Sequence, residues 1–268
     1  MYLVFDIGGT HIRSAVSKDG KTFDRAPVVV DTPKDWEEAK KVLSDICDKQ
    51  GKPEHVCVAI AGEFDSYGSS LIFSPNLSDW VGKPLRRFFE EQTGVPVELV
   101  NDATAAAIAE ATEGAGKGHT IVAYLTVGTG VGGARIVEGK VDENRQGFEP
   151  GQQIINSATG ETLEQRVAGS GFIKHFGSDF KEKASKEDWE EAAREFAVGI
   201  HNTIGYWSPD IVVVGGSMVL KPKGIHLDSV IKQLSLLSST SRKPPQVVKA
   251  KFGDESGLRG ALRIASGD

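Results

Sequence analysis

Asp6-Ile7-Gly8-Gly9-Thr10 ends a short apolar run (Tyr2–Ile7) and leads into an alternating segment, Ile12–Ser17, closed by the turn Lys18-Asp19-Gly20-Lys21. Thr126-Val127-Gly128-Thr129-Gly130 repeats that plan: an apolar run, a glycine turn, the returning segment Gly133–Val137, then the turn Glu138-Gly139-Lys140. Each stretch reads as strand, glycine turn, strand, turn. Glycine lets a backbone come close to a ligand and adopt φ angles closed to other residues, so such turns can present N–H groups to phosphate oxygens. Glycine turns also serve simply to make hairpins. The matched pair, each ending a buried-type strand, favours the phosphate reading.

Around these two stretches strands and helices alternate. Phe23–Val30 reads as a third strand of the first meander. Thr32-Pro33-Lys34-Asp35 reads as a helix start with a capping hydroxyl, and apolar spacing continues to Gly51. His55–Ala61 and Val97–Val100 read as strands, and Leu85–Thr93 and the alanine-rich Ala103–Glu113 as helices. In the second half Asp188–Trp207 is the longest helical pattern, Ile211–Val214 and Val247–Lys251 are strands, and Gly257–Ala265 is a closing helix. The segment from Phe148 to Gly171 reads as loop with a short helix. The class is α/β.

Gly128-x-Gly130-x-x-Gly133 matches the letters of a dinucleotide-binding fingerprint, but that motif needs a helix to open at its glycines, and here a strand follows. No G-x-x-x-x-G-K-[ST] loop is present. A third glycine turn, Gly215-Gly216, ends the strand Ile211–Val214, a position that suits a nucleotide at the carboxyl end of a sheet. Asn101-Asp102 stands where a strand gives way to a helix. Asp102 there fits a helix cap, or the carboxylate that accepts a proton from a hydroxyl being phosphorylated. Asp6, at the end of the first strand, is the natural acid to hold Mg2+ through water, ATP being handled as its magnesium complex.

Of 268 residues 39% are hydrophobic and 25% charged, with a formal net charge of −6. That balance gives no electrostatic case for nucleic acid. No apolar run approaches the ~20 residues that span a bilayer, and the N-terminus reads as a strand, so a cytoplasmic location is expected. The two cysteines, Cys47 and Cys57, form neither a C-x-x-C pair nor a disulfide framework and read as packing residues.

These residues resemble the ROK family (repressor, open reading frame, kinase) of sugar kinases, within the actin–hexokinase superfamily. Besides the two glycine turns, the resemblance rests on Ala59-Ile-Ala-Gly-Glu-Phe-Asp65, Ser74-Pro-Asn-Leu-Ser-Asp-Trp80, Val100-Asn-Asp-Ala-Thr-Ala-Ala-Ala107, Val212-Val-Val-Gly-Gly216 and Gly253-Asp-Glu-Ser-Gly-Leu-Arg-Gly-Ala261. It implies two actin-like (ribonuclease H-like) lobes with a central ATP/sugar cleft. The smaller lobe would be 1–101 plus 253–268, and the larger 102–252. It implies ATP-dependent phosphorylation of a hexose hydroxyl, glucose to glucose 6-phosphate first, with Asp102 as base. Gly62, Asn76, Asn101, Asp102, Glu149, Gln152 and Glu164 would surround the sugar. Asp6, Gly8, Gly9, Thr10, Arg13, Gly128, Thr129, Gly130, Gly215 and Gly216 would serve ATP.

N-acetylglucosamine, N-acetylmannosamine and fructose are alternative acceptors, and a non-catalytic sugar- and ATP-binding regulator is the alternative of another class. The small-molecule sugar is the expected partner, with no nucleic acid and no membrane; a homodimer is compatible with the resemblance but not derivable from the residues.

The chain departs from the family in one stretch. Typical members carry E-I-G-H and then C-x-C-G-x-x-G-C-x-E, a structural zinc site. Here Glu149-Pro-Gly-Gln152 is followed by Ile154–Glu164 without a cysteine or histidine. Zinc needs thiolates or imidazoles at short spacing, so no zinc is expected. The cross-link that zinc would give Glu164 is expected to be lost with it.

Overall fold

A computed structural model of the chain describes residues 1–65, 67–144, 147–237 and 244–267. The chain divides into two compact units, Met1–Ala109 with Glu255–Asp268, and Glu110–Asp254.

In the first unit, strand Tyr2–Ile7 pairs antiparallel with His11–Ser17, which pairs antiparallel with Val28–Asp31. On its other side Tyr2–Ile7 pairs in parallel with His55–Ile60, and that strand with Val97–Asn101. Both faces of this sheet are covered, which is why Tyr2–Ile7 and its parallel neighbour His55–Ile60 are apolar almost throughout. Leu3, Phe5 and Ile7 face one way, into a core with Leu43 of helix Trp36–Gln50 and Phe89 of helix Leu85–Thr93. Val4, Cys57 and Ala59 face the other way, against Ala105 of helix Asp102–Thr112 and Leu258, Ala261 and Leu262 of the closing helix Ser256–Ser266. Gly260 lets those two helices touch, since a Cβ there would collide with the Ala105 carbonyl.

The second unit repeats this order. Strand Ile121–Val127 pairs antiparallel with Val131–Val137, and that strand with Lys140–Val141. On its other side Ile121–Val127 pairs in parallel with Ile211–Gly215, and that strand with Gln246–Lys249. Leu125, Val127, Val212 and Val214 share a core with Phe196 and Ile200 of helix Lys186–Trp207 and Val230 and Leu234 of helix Leu227–Leu237. The long helix starts on a reciprocal cap between Ser185 and Asp188.

Several elements differ from the sequence reading. The third strand begins at Val28 rather than Phe23, because residues 18–24 fold on themselves. Asp19 accepts the N–H groups of Lys21 and Thr22, and Asp24 donates its N–H to Val16. The helix expected to be capped by Thr32 is capped by Asp35, whose carboxylate accepts the Glu38 N–H at 2.9 Å. The 148–171 segment holds the helix Leu163–Val167, the start of the helix Gly169–Phe176 and a two-stranded ribbon, Ile154–Asn156 with Glu161–Thr162. The helix Leu227–Leu237 and the ribbon Glu63–Phe64 with Leu71–Phe73 are additional. Both cysteines are buried, as read.

Candidate active site

The first glycine turn, Gly8–Thr10, is folded back by its own carbonyls. Gly8 donates its N–H to the His11 carbonyl at 3.0 Å. The Gly8 carbonyl accepts the Thr32 hydroxyl at 2.8 Å, and the Thr10 carbonyl accepts the Thr32 N–H at 2.9 Å. The Gly9 carbonyl accepts the Lys34 ammonium, which also donates to the Asn76 carbonyl at 3.0 Å. With every carbonyl occupied, the N–H groups of Gly9 and Thr10 are the polar backbone atoms left to meet a ligand, and Thr10 is exposed. Gly9 is required sterically: a Cβ would lie 2.5 Å from Asn76 Cβ. Asn76 is thereby packed onto the turn.

The second turn, Gly128–Gly130, reaches the same state by other means. Gly128 donates to the Gly130 carbonyl at 2.9 Å. The Gly128 and Thr129 carbonyls accept the N–H groups of Gly169 and Ser170, at 2.8 and 3.0 Å, and so satisfy the first turn of helix Gly169–Phe176. The N–H groups of Thr129 and Gly130 are left over. Glu164 lies beneath, its Oε2 accepting the Val131 N–H at 2.8 Å, and a Cβ on Gly130 would come within 2.5 Å of that oxygen.

Asn101, not Asp102, caps the helix that follows. Asn101 Oδ1 accepts the Thr104 N–H at 3.1 Å, while its Nδ2 donates to the Gly62 carbonyl, also at 3.1 Å. Gly62 has φ 144°, and a Cβ there would press on the Phe73 carbonyl at 2.6 Å. Asp102 occupies the first helical position, where Oδ1 accepts the adjacent Ala103 N–H at 2.8 Å. Burial pushes its carboxyl above the usual carboxylate range, against the lowering effect of that hydrogen bond.

Asp6 sits opposite Arg13 in the hairpin register, with Oδ2 3.9 Å from the guanidinium. Its carboxylate lies over Gly257, at the start of the closing helix, where a Cβ would be 2.6 Å from Asp6 Cγ. Among the described residues no group of three or more His, Cys, Asp or Glu is arranged to hold a metal ion, and no helix is long and apolar enough to cross a membrane.

Glu149-Pro150-Gly151-Gln152 forms a single tight turn, with Gln152 donating its N–H to the Glu149 carbonyl at 3.1 Å. Pro150 and Gly151 are buried against the second hairpin: Gly151 faces Val131 and Glu164 Cβ, and Pro150 faces Gly133. Glu149 and Gln152 are exposed. Within the second unit, Glu149, Gln152 and Glu164 thus come from segments packed on one strand, Val131–Val137. Gly215 and Gly216 have a packing reason for being glycine, since a Cβ would meet the Tyr124 hydroxyl at 2.5 Å in the first case and collide with the Val127 carbonyl in the second.

Three residues of this construction were not singled out in the sequence. Thr32 and Lys34 hold the first turn, but their letters read equally well as a helix start. Glu110 is fully buried and accepts the N–H groups of Ala115, Lys251 and Phe252 at 3.0, 3.0 and 2.8 Å. An acid on the apolar side of an alanine-rich helix was the available signal for Glu110.

The ROK family model matches residues 2–268. The Thermotoga maritima glucokinase is 29% identical to the chain over 302 residues, covering 97% of this chain and 95% of the relative. The Histophilus somni N-acetyl-D-glucosamine kinase is 28% identical, covering 98% of each. The crystal structure of a ROK family glucokinase from Streptomyces griseus, in complex with glucose and AMPPNP, superposes with a TM-score of 0.82 at 26% identity, over 100% of this chain and 99% of that one. With the fold, the repeated sheets and the family match together, the chain belongs to the ROK family.

Proposed function

We propose that this ROK-family chain is an ATP-dependent sugar kinase that transfers the terminal phosphoryl group of ATP to a hexose hydroxyl, with glucose the first acceptor to test. The observation that carries the reading is the division of labour at Asn101-Asp102. Asn101 takes the cap, so the Asp102 carboxylate is not spent on it. Its raised pKa suits a base that must accept a proton.

In the reaction the sugar oxygen attacks the γ-phosphorus while Asp102 receives the hydroxyl proton. The new O–P bond forms as the bond to the β-phosphate oxygen breaks, and ADP leaves with that electron pair. The backbone N–H groups of Gly9, Thr10, Thr129 and Gly130 are the donors we assign to the phosphate oxygens, where charge develops. Arg13 adds positive charge beside Asp6. Gly215 and Gly216 are assigned to the nucleotide end. Mg2+ bound with ATP would neutralise phosphate charge, and Asp6 would orient its water shell.

On the sugar side we assign Asn76, Asn101, Glu149, Gln152 and Glu164, with Gly62 holding Asn101. Carboxylates and amides can grip adjacent hydroxyls as acceptors and donors. Relatives of similar identity include both a glucokinase and an N-acetyl-D-glucosamine kinase, so the acceptor panel must contain hexoses and N-acetylated amino sugars. An ADP-release assay over that panel should give sugar-dependent turnover that Asp102→Asn lowers by about 10²–10⁴-fold. Equal ADP release with and without every sugar would sink the kinase reading.

A further inference from the structure

The helix Leu163–Val167 has five residues, far too few to be stable alone. Yet it carries Glu164, whose carboxylate fixes the Val131 N–H at the base of the second turn. Leu163 and Val167 anchor it inward, both fully buried, with Leu163 against Gly199 of the long helix. These two anchors fix the inner side and a reciprocal cap between Thr162 and Gln165 fixes the start, which leaves rotation about the anchor line, carrying Glu164, to be resisted from the outer side.

Arg166 closes that freedom from the outer side. Its Nε and Nη2 lie 2.7 and 2.6 Å from Glu195 Oε1, its Nη2 3.3 Å from Glu191 and its Nη1 3.3 Å from Glu161. One guanidinium thus ties the short helix to the ribbon strand before it and to one face of Lys186–Trp207. Glu191 and Glu195, four apart on that helix, would repel each other without it. The hydrogen bond that Arg166 donates to Glu195 raises the guanidinium pKa further, so Arg166 stays charged. Isolated surface pairs contribute little, but a planar fork engaged by three carboxylates at once is the arrangement that holds a position. Arg166, Glu161, Glu191 and Glu195 also line the same 680 Å3 cavity as Glu164.

We propose that Arg166 is a positioning residue that sets the place of Glu164, and through it the second glycine turn and the sugar contact assigned to Glu164. The sugar part rests on the kinase reading above; the turn part does not. Arg166→Met in the full chain keeps the apolar stem and removes the clamp. We expect Val131 amide exchange in the ligand-free protein to speed up about tenfold, while Ala123, in the middle of the same sheet, keeps its protection. In turnover, sugar KM should rise about tenfold with kcat changed less than about threefold, and the KM effect should shrink below about twofold in a Glu164→Gln background.

Unchanged Val131 protection would overturn the proposal, as would a KM effect that persists in full when Glu164 is already Gln. Should Arg166→Met fail to fold, Glu195→Gln and Arg166→Lys carry the same tests with smaller expected changes. If the wild-type chain phosphorylates no sugar, the kinase reading fails, and the exchange measurement still decides the role of Arg166.

Discussion

Both units lay down a three-stranded meander and then add two parallel strands to its first strand, in the order 3-2-1-4-5. Both tie back the carbonyls of the first glycine turn and leave two successive N–H groups. They differ in how that is done. In the first unit four residues separate the paired Ile7 and Ile12, and side chains from Thr32 and Lys34 hold the turn. In the second, three residues separate Val127 and Val131, and the N–H groups of a helix hold it. They differ also in chemistry. Asp6 on the first strand and Asp102 after the fifth have Thr126 and the run Ala250-Lys251-Phe252 as their topological counterparts. A repeated scaffold carries a glycine turn in each half and has carboxylates at these positions in one half only.

The largest effect should come from the carboxylate without a counterpart. Asp102→Asn keeps an acceptor for the Ala103 N–H and removes the base, so kcat should fall by about 10²–10⁴. Stability should move the other way. A carboxyl raised above its unfolded value of about 3.9 contributes stability below that pH and loses it as pH rises through the folded value. Ionising this group in the folded protein is therefore a cost, and Tm of Asp102→Asn at neutral pH should equal or exceed that of the wild type. A lower Tm with full activity would return Asp102 to a structural role.

Next come the glycines, which separate phosphate binding from hairpin making. Gly9→Ala drives a methyl into Asn76, and overpacking of this kind costs about 1–3 kcal/mol. Both Tm and sugar KM should suffer. Gly128 has open space where a Cβ would stand, so Gly128→Ala should change the stability by no more than about 0.5 kcal/mol. If phosphate occupies that space, ATP KM rises. An unaltered ATP KM would mean that this glycine only makes a hairpin.

Much of this was legible in the letters. Apolar runs ending in glycine gave both hairpins, and the repeat gave the equivalence of the halves. The Asn-Asp pair marked the junction of strand and helix, but position alone could not assign the cap, because either side chain can accept the N–H that decides it. Thr32 was read as a cap for the same reason. Asp35 competes for that task from three residues on, which frees the hydroxyl to donate to Gly8. Leu227, Val230 and Leu234 carried helical spacing and could have been read. The strands of two or three residues around 63–73 and 154–162 could not, since their ladders form only where the neighbouring segments have already been brought together. Arg166 and its three carboxylates lie 5, 25 and 29 positions apart, and only packing reveals that they meet.

A smaller effect tests the asymmetry in how the turns are held. Thr32→Val deletes the donor to the Gly8 carbonyl while keeping shape, which should cost about 1 kcal/mol. It should raise ATP KM without changing the pH dependence of kcat. In the second turn the carbonyls of Gly128 and Thr129 are met by backbone N–H groups, and the side chain that steadies it, Glu164, acts on the Val131 N–H instead.

The smallest expected signal is also the most local. Both cysteines belong to the first unit, and both are buried. Burial pushes the Cys47 thiol up to about 11 and that of Cys57 higher still. Only the thiolate reacts, so at neutral pH neither residue should consume a thiol reagent in the native protein, and both should do so after denaturation. Cys47 lies on helix Trp36–Gln50 and Cys57 on a central strand. Labelling at sub-denaturing concentrations therefore reads local opening of the first unit alone. If Thr32→Val accelerates labelling of Cys47 before that of Cys57, the turn contacts stabilise the helix that follows them. Simultaneous acceleration of both would mean that the turn, the helix and the sheet open as one cooperative piece.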